Sequence, residues 1–391
     1  MAPDLRGAGL TAPGPGSGHA LPFADPAADH APIAAELEAA AARVIRSGRY
    51  ILGPEVGAFE IELAAALGVG HAIGVSSGTD ALIALLMAAG VGPGDEVVTS
   101  PFSFFATAAA IVRVGARPVF ADVEPTTLNI DPAAAVAAIG PGTKAVLVVH
   151  LFGRAAETPA IAAACAARGI PLFEDAAQAI GATTPGGRRT GELGAAAALS
   201  FFPTKNLGAF GDGGAVLTGD AEIAARVRRL RVHGADRKNH HLAVGGNFRL
   251  DELQAALLRV KLAHLPRWTA ARRTLAAAYR HGLRGVPLAL PPEDQGCVWN
   301  QFVVRAAPSD RDELARHLGA HGIATEVYYP QALHRQPALA FLGHGRGDFP
   351  VAERAATEAL ALPLHPSLAL GRIDDITACI VQFFEGRGRR G

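Results

Sequence analysis

Short apolar runs recur along the first two thirds of the chain, at 72–75, 96–99, 118–123, 145–150, 171–174, 197–202 and 215–218, each separated from the next by a stretch of helical pattern. Strands that alternate with helices in this way predict an α/β architecture: a mainly parallel seven-stranded sheet covered by helices, with any site at the carboxyl ends of the strands. A helical pattern at 31–47 leads into a Gly/Pro-containing loop at 48–55. Beyond residue 262 the pattern changes. A long Ala/Arg-rich helix at 265–281 is followed by a proline-rich segment at 287–292, a strand at 299–304, a helix at 311–321 and a terminal helical stretch at 373–384. These fit a smaller α+β unit. The expected organisation is a flexible tail at 1–25, whose first 20 residues carry too many glycines and prolines to pack, a large domain at 26–262 and a small domain at 263–391. No internal repeat is evident.

Composition agrees and excludes some classes of function. With 391 residues, 50% of them hydrophobic and 18% charged, the chain can bury a sizeable core and form more than one domain. A formal net charge of zero gives no electrostatic reason to expect nucleic acid or an anionic membrane as partner. The cluster Arg226, Arg228, Arg229 and Arg231 reads as a solvated helix face. Cys165, Cys297 and Cys379 are widely spaced and odd in number, which argues for reduced, buried thiols in a cytoplasmic protein. Neither a signal-type leader nor an apolar stretch of about 18 residues stands out. His240 and His241 lack a second ligand pair at fitting spacing, so no metal is expected.

Candidate chemistry gathers in three segments. Lys205 follows an apolar run ending in Phe201 and Phe202 and sits in a glycine-rich loop, where burial lowers an amine's pKa toward working pH. It is one of only four lysines among 36 basic residues. Upstream, Ile170-Pro-Leu-Phe-Glu-Asp-Ala-Ala-Gln178 is an apolar strand ending in carboxylates. Asp175 at that edge suits a pyridine-type ring, because a nearby anion raises the ring nitrogen's pKa by roughly 1 to 3 units. Glu174, its strand neighbour, faces the opposite side and reads as structural. The third segment, Ala72-Ile-Gly-Val-Ser-Ser-Gly-Thr-Asp-Ala-Leu82, is a strand, a tight turn and a helix start. Backbone N–H groups there bind phosphate without a cationic side chain, with Gly78 permitting close approach and Thr79 adding a hydroxyl. Lysine, aspartate and phosphate cradle together suggest pyridoxal 5'-phosphate.

At these residues the chain resembles the DegT/DnrJ/EryC1/StrS family of pyridoxal-phosphate-dependent sugar aminotransferases, within fold type I. The resemblance rests on Ser76-Ser-Gly-Thr-Asp-Ala-Leu82, Pro101-Phe-Ser-Phe-Phe-Ala-Thr107, Glu174-Asp-Ala-Ala-Gln178, Ser200-Phe-Phe-Pro-Thr-Lys-Asn-Leu-Gly208 and Gly246-Asn-Phe-Arg-Leu-Asp-Glu-Leu-Gln-Ala-Ala256. It implies that Lys205 forms the internal aldimine and moves the proton, that Asp175 pairs with the pyridine nitrogen, and that Gln178 lies near the phenolic oxygen. It also implies that Phe104 stacks on the ring, and that Gly78, Thr79 and Ser200 hold the phosphate together with Asn247 reaching in from a partner subunit. A homodimer with shared active sites follows. Arg249 and Tyr329 match substrate-contacting positions. The implied reaction moves an amino group from L-glutamate to a nucleotide-linked keto-sugar, with 3-keto favoured over 4-keto. A ketocyclitol aminotransferase and a non-catalytic regulator that keeps the fold are the alternatives.

Overall fold

The computed structural model describes residues 20–388. Most of the expected tail, residues 1–19, lies outside them. Its last few residues are held in place: Leu21 N donates to the Gly322 carbonyl at 2.7 Å, and the Leu21 carbonyl accepts from Ala324 N at 3.0 Å. Leu21 buries its side chain in the core formed by the C-terminal part.

Twelve α-helices and eleven strands follow in chain order among the described residues. Helices α1 (Pro26–His30), α2 (Ala34–Ser47) and α3 (Pro54–Leu67) precede β1 (His71–Val75), α4 (Gly78–Ala88), β2 (Glu96–Thr99), α5 (Ala106–Arg113), β3 (Arg117–Phe120), α6 (Pro132–Ala138) and β4 (Thr143–Val149). Then come α7 (Pro159–Arg168), β5 (Leu172–Asp175), β6 (Ala196–Ser200), β7 (Gly214–Thr218), α8 (Ala221–Leu230), β8 (Ala235–Arg237), β9 (His240–His241) and α9 (Glu252–Gly282). The remainder is β10 (Phe302–Arg305), α10 (Pro308–Ala320), α11 (Pro350–Glu358), β11 (Ala359–Leu362) and α12 (Leu370–Gly388).

Seven strands form one sheet in the order β1-β7-β6-β5-β4-β2-β3, parallel throughout except for β7, which runs antiparallel to both neighbours. All seven runs expected from sequence are its strands. They read as continuous apolar runs because both faces are covered. Along β6, Ala196 and Ala198 join the core under α4, while Ala197 and Leu199 join the one under α3 and α9. Successive side chains point to opposite faces, so each face receives its own apolar set.

The C-terminal part has a separate apolar core that includes Phe302, Val304, Leu314, Leu360, Ile376 and Ile380. The helix expected to start at 265 is part of α9, which runs unbroken from Glu252 to Gly282 with Pro266 inside it. Its first half packs Ala255, Leu258 and Leu262 on the sheet, and its second half packs Leu275 and Tyr279 into the C-terminal core. The strand expected from 299 starts at Phe302, because Trp299 has φ 49 and breaks the extended run. Arg231 also departs from expectation: it is buried, bonds to Glu60 and donates to the Gly74 carbonyl at 2.9 Å, tying α8 to β1. No described helix is long and apolar enough to cross a membrane.

Local signals fix the segments nearest the sheet's carboxyl edge. Ser77 caps α4 by accepting from Asp80 N at 3.0 Å. Asp251 caps α9 by accepting from Gln254 N at 2.8 Å. The buried Glu252 carboxylate reaches across to α3 and accepts from Glu55 N at 2.9 Å and Val56 N at 2.8 Å. It satisfies two of the donors a helix N-terminus leaves without partners.

Candidate active site

The parallel strands β1, β2, β4, β5 and β6 all end on one edge of the sheet, and the segments leaving that edge carry the expected residues. Ser76–Thr79 follows β1, Phe104 and Thr107 follow β2, His150 follows β4, Asp175 ends β5, and Ser200 ends β6 with Lys205 five residues on. Pairing aligns Val149 with Asp175 and Asp175 with Ala198. Ser200 faces Gly214, where the antiparallel β7 begins.

Asp175 is 5% exposed. Its Oδ2 accepts from Thr107 Oγ1 at 2.7 Å and its Oδ1 from Ala177 N at 3.2 Å. Burial raises its pKa, and the Thr107 hydroxyl, the Ala177 amide, Lys205 and His150 work against that rise. A carboxylate in such a place keeps its charge only if donors and a cation are supplied. Lys205 is half-buried, and burial lowers its amine to about 8, with Asp175 pulling the other way. Each of the two feels the other's charge.

A cradle lies beside them. A Cβ added to Gly78 would sit 2.6 Å from Ser200 Cβ, and one added to Gly214 would sit 2.4 Å from the Ser77 carbonyl oxygen. Only glycines let the start of α4, the end of β6 and the start of β7 come this close. The first amides of α4 are therefore presented at the sheet edge next to the Ser200 hydroxyl, which itself accepts from Phe202 N at 3.3 Å. Backbone amides at a helix start beside a hydroxyl are the geometry that phosphate binding uses.

Phe104 leaves 59% of its surface exposed at this edge, although it lies in an apolar stretch, and its ring is 6.4 Å from that of Tyr329. Gln178 is buried and bridges two groups: its Oε1 accepts from Phe152 N at 2.7 Å and its Nε2 donates to the Tyr329 hydroxyl at 2.8 Å. This fixes the amide's orientation and leaves the Tyr329 proton free to point elsewhere. Burial holds the Tyr329 hydroxyl well above its ordinary pKa, so it stays protonated. Phe152 adopts φ 57, a strained conformation for a non-glycine residue, and delivers its amide to Gln178. Asn247 is exposed on this chain and paired with Val232 in an isolated bridge, and the carbonyl of the next residue, Phe248, accepts from Ser76 N at 3.2 Å. Arg249 is half-buried, and its Nε is shielded from solvent without a hydrogen-bond partner among the described residues.

Sequence reasoning missed the residues that hold these groups. Thr107 closes the same segment as Phe104 but became meaningful only when the exit of β2 was set beside β5. Glu174 is structural, as expected, and its carboxylate accepts from His150 Nε2 at 2.8 Å and from Gly191 N, Leu193 N and Gly194 N at 2.8, 2.9 and 2.8 Å. Because His150 Nδ1 accepts from Ala156 N at 3.0 Å, the ring proton is on Nε2. A buried histidine after a strand was the available signal.

A carboxylate at this depth needs a cationic ring beside it, an amine held near neutrality needs an aldehyde to capture, and the glycine cradle needs a phosphate. Pyridoxal phosphate answers all three, and the fold is that of a pyridoxal-phosphate-dependent aminotransferase of fold type I. Over residues 32–381 the chain matches the DegT/DnrJ/EryC1/StrS aminotransferase family, and it belongs to that family. It is 47% identical over 369 residues to the "Pleiotropic regulatory protein" of Geobacillus stearothermophilus, covering 93% of this chain and 98% of the relative. It is 46% identical over 351 residues to the dTDP-3-amino-3,4,6-trideoxy-alpha-D-glucose transaminase of Streptomyces venezuelae, covering 89% and 92%. Among solved structures it resembles S. venezuelae DesV in complex with a ketimine intermediate, with TM-score 0.90 and 44% identity over 94% of this chain and 99% of that one.

Proposed function

We propose that this sugar aminotransferase takes its amino group from L-glutamate and delivers it to a nucleotide-linked 3-keto sugar. Two features carry the reading: the mutual electrostatic influence of Asp175 and Lys205 beside the Gly78–Ser200 cradle, and 46% identity to a dTDP-3-amino-3,4,6-trideoxy-alpha-D-glucose transaminase. Bound there, pyridoxal phosphate supplies a ring that withdraws electrons from the substrate carbon next to the transferred nitrogen.

The chain's own residues do the rest. Asp175, steadied by Thr107 and Ala177, keeps a negative charge for the ring nitrogen. Lys205 holds the group through its amine and, once released, moves a proton at the substrate carbon. A pKa of about 8 lets it both accept and give that proton near neutral pH. Gly78, Thr79 and Ser200 grip the phosphate, joined by Asn247 of the partner subunit. Phe104 covers one ring face, and Gln178 stands by the phenolic oxygen. Arg249 and Tyr329 contact the sugar, Tyr329 by donating the proton that Gln178 leaves free.

A homodimer with shared sites is part of the proposal. Asn247 is solvent-facing on its own chain, and Tyr50, Ile51, Leu242 and Val244 are exposed at 52, 54, 54 and 88%. Apolar side chains in that number favour burial against a second copy. A large cofactor-holding part and a smaller C-terminal part are retained in this reading, supported by their separate apolar cores.

The test is incubation of wild-type and Lys205→Ala protein with pyridoxal phosphate, L-glutamate and a panel of nucleotide-linked 3-keto and 4-keto sugars, reading 2-oxoglutarate and amino sugar. Turnover by wild type alone, on 3-keto substrates, is expected. Product from the variant removes Lys205 from the mechanism, and preference for 4-keto sugars overturns the substrate assignment. Sedimentation of an active, stable monomer would refute the shared site.

A further inference from the structure

Far from the sheet edge, the seam between α10 and α12 brings together three groups that the aminotransferase reaction does not use. His317 lies in the last turn of α10, His321 caps that helix one turn further on, and Cys379 comes from α12. One ligand atom from each lies within 4.8 Å of the others. We infer that His317, His321 and Cys379 form a binding site for a borderline-soft divalent metal, zinc in the first instance.

Two imidazoles four residues apart on one helix face are a metal-binding pair, and a thiolate adds the soft donor that selects zinc over magnesium or calcium. The ring chemistry is already arranged for it. His321 Nδ1 donates to the His317 carbonyl at 2.8 Å, which leaves its Nε2 as a lone-pair donor. Anchoring one ring nitrogen on a carbonyl is how metal-binding histidines are oriented. His317 Nε2 is shielded from solvent and has no hydrogen-bond partner among the described residues, an orphan that a metal would satisfy.

Cys379 is 7% exposed and its thiol is free. A metal binds the thiolate, so coordination releases the thiol proton to solvent. Tetrahedral coordination at metal distances of about 2.0–2.3 Å sets ligand atoms roughly 3.3–3.6 Å apart, so the widest pair has to close by up to about 1.2–1.5 Å, through side-chain rotation. His321 and Cys379 also line an open groove of about 700 Å³ that carries Asp374, Glu385 and Asp375, the last paired with Arg372 of the same groove at 2.9 Å. A fourth position can be filled from that groove by water, and its acidic rim favours a cation. Sequence alone gave no hint, because the thiol and the histidines belong to different helices with α11 and β11 between them.

Untagged holoenzyme, stripped of metal, is titrated with Co²⁺ and read at visible wavelengths beyond the cofactor's own absorbance, then back-titrated with Zn²⁺, alongside His321→Ala and Cys379→Ser. One Co²⁺ per chain with tetrahedral bands displaced by zinc is expected, with affinity falling about 10- to 100-fold or more in either variant. The thermal midpoint should rise with zinc in wild type and not in the variants, because the metal binds the folded chain preferentially. His321 is exposed, so its variant tests the site without a folding defect. Absence of tetrahedral cobalt bands in wild type, or binding undiminished in both variants, overturns the inference. The outcome is independent of transaminase activity.

Discussion

Replacing Thr107 with valine keeps the shape of a fully buried side chain and removes one donor from Asp175. The Thr107 Oγ1–Asp175 Oδ2 bond is 2.7 Å, and Ser103 Oγ lies 2.9 Å from the same hydroxyl. A hydrogen bond to a charged acceptor contributes about 1.5–3 kcal/mol. Losing it raises the Asp175 pKa beyond the rise that burial already causes, because the charged form gives up a donor. Ionised Asp175 becomes harder to keep, so pyridoxal phosphate binding should weaken by about 10- to 100-fold, at about 1.4 kcal/mol per tenfold. Turnover at saturating cofactor should fall as well, because the charge facing the ring nitrogen is less secure. Thr107→Ser restores the hydroxyl and should recover most of both. The assay is a spectroscopic cofactor titration with single-turnover kinetics on wild type and the two variants. A Thr107→Val protein that binds cofactor and turns over within twofold of wild type would refute the reasoning, as would a serine variant no better than valine.

Lys205 is lowered from 10.5 to about 8, so above pH 8 the unfolded chain binds more protons than the folded one. The burial penalty on the cofactor-free protein is complete below pH 8, is relieved as pH rises from 8 to 10.5, and is gone above. The difference in thermal midpoint between wild type and Lys205→Ala should therefore shift in favour of wild type across that window, and a flat difference contradicts it. Gly78→Ala drives a Cβ to 2.6 Å from Ser200. Overpacking of that kind costs about 1–3 kcal/mol, and both the melting temperature and the affinity for pyridoxal phosphate should drop, while unchanged affinity would show that the cradle does not hold phosphate. Glu252→Ala leaves Glu55 N and Val56 N without their acceptor. Denaturant titration should show a loss of about 2–3 kcal/mol, and a loss under half a kilocalorie would mean that water replaces the carboxylate at no penalty.

Much of the site was legible because its chemistry is written in short segments. Lys205, Asp175 and Gly78 each sit at the end of an apolar run, so residue type and strand position alone placed them on one edge of a parallel sheet. Their partners were not legible in that way. Thr107 reaches Asp175 across a separation of 68 residues, and Gln178 reaches Tyr329 across 151. Arg231 looked like part of a solvated run until Glu60 and Gly74 were found beside it. A proline at 266 suggested a helix start, yet packing against two cores carries α9 straight through it.

By itself the sequence determined which stretches are strands, which residues can do chemistry, and that a phosphate-bearing pyridine cofactor suits them, since these follow from side-chain type and near neighbours. Tertiary structure alone decided which donor steadies Asp175, how Gln178 is turned, where the two cores meet along α9, and that His317, His321 and Cys379 share a seam. Periodicity reports the environment of a residue, buried or exposed, and carries no information on distant contacts. Those are set by strand register and helix packing, which appear only when the whole chain has closed on itself.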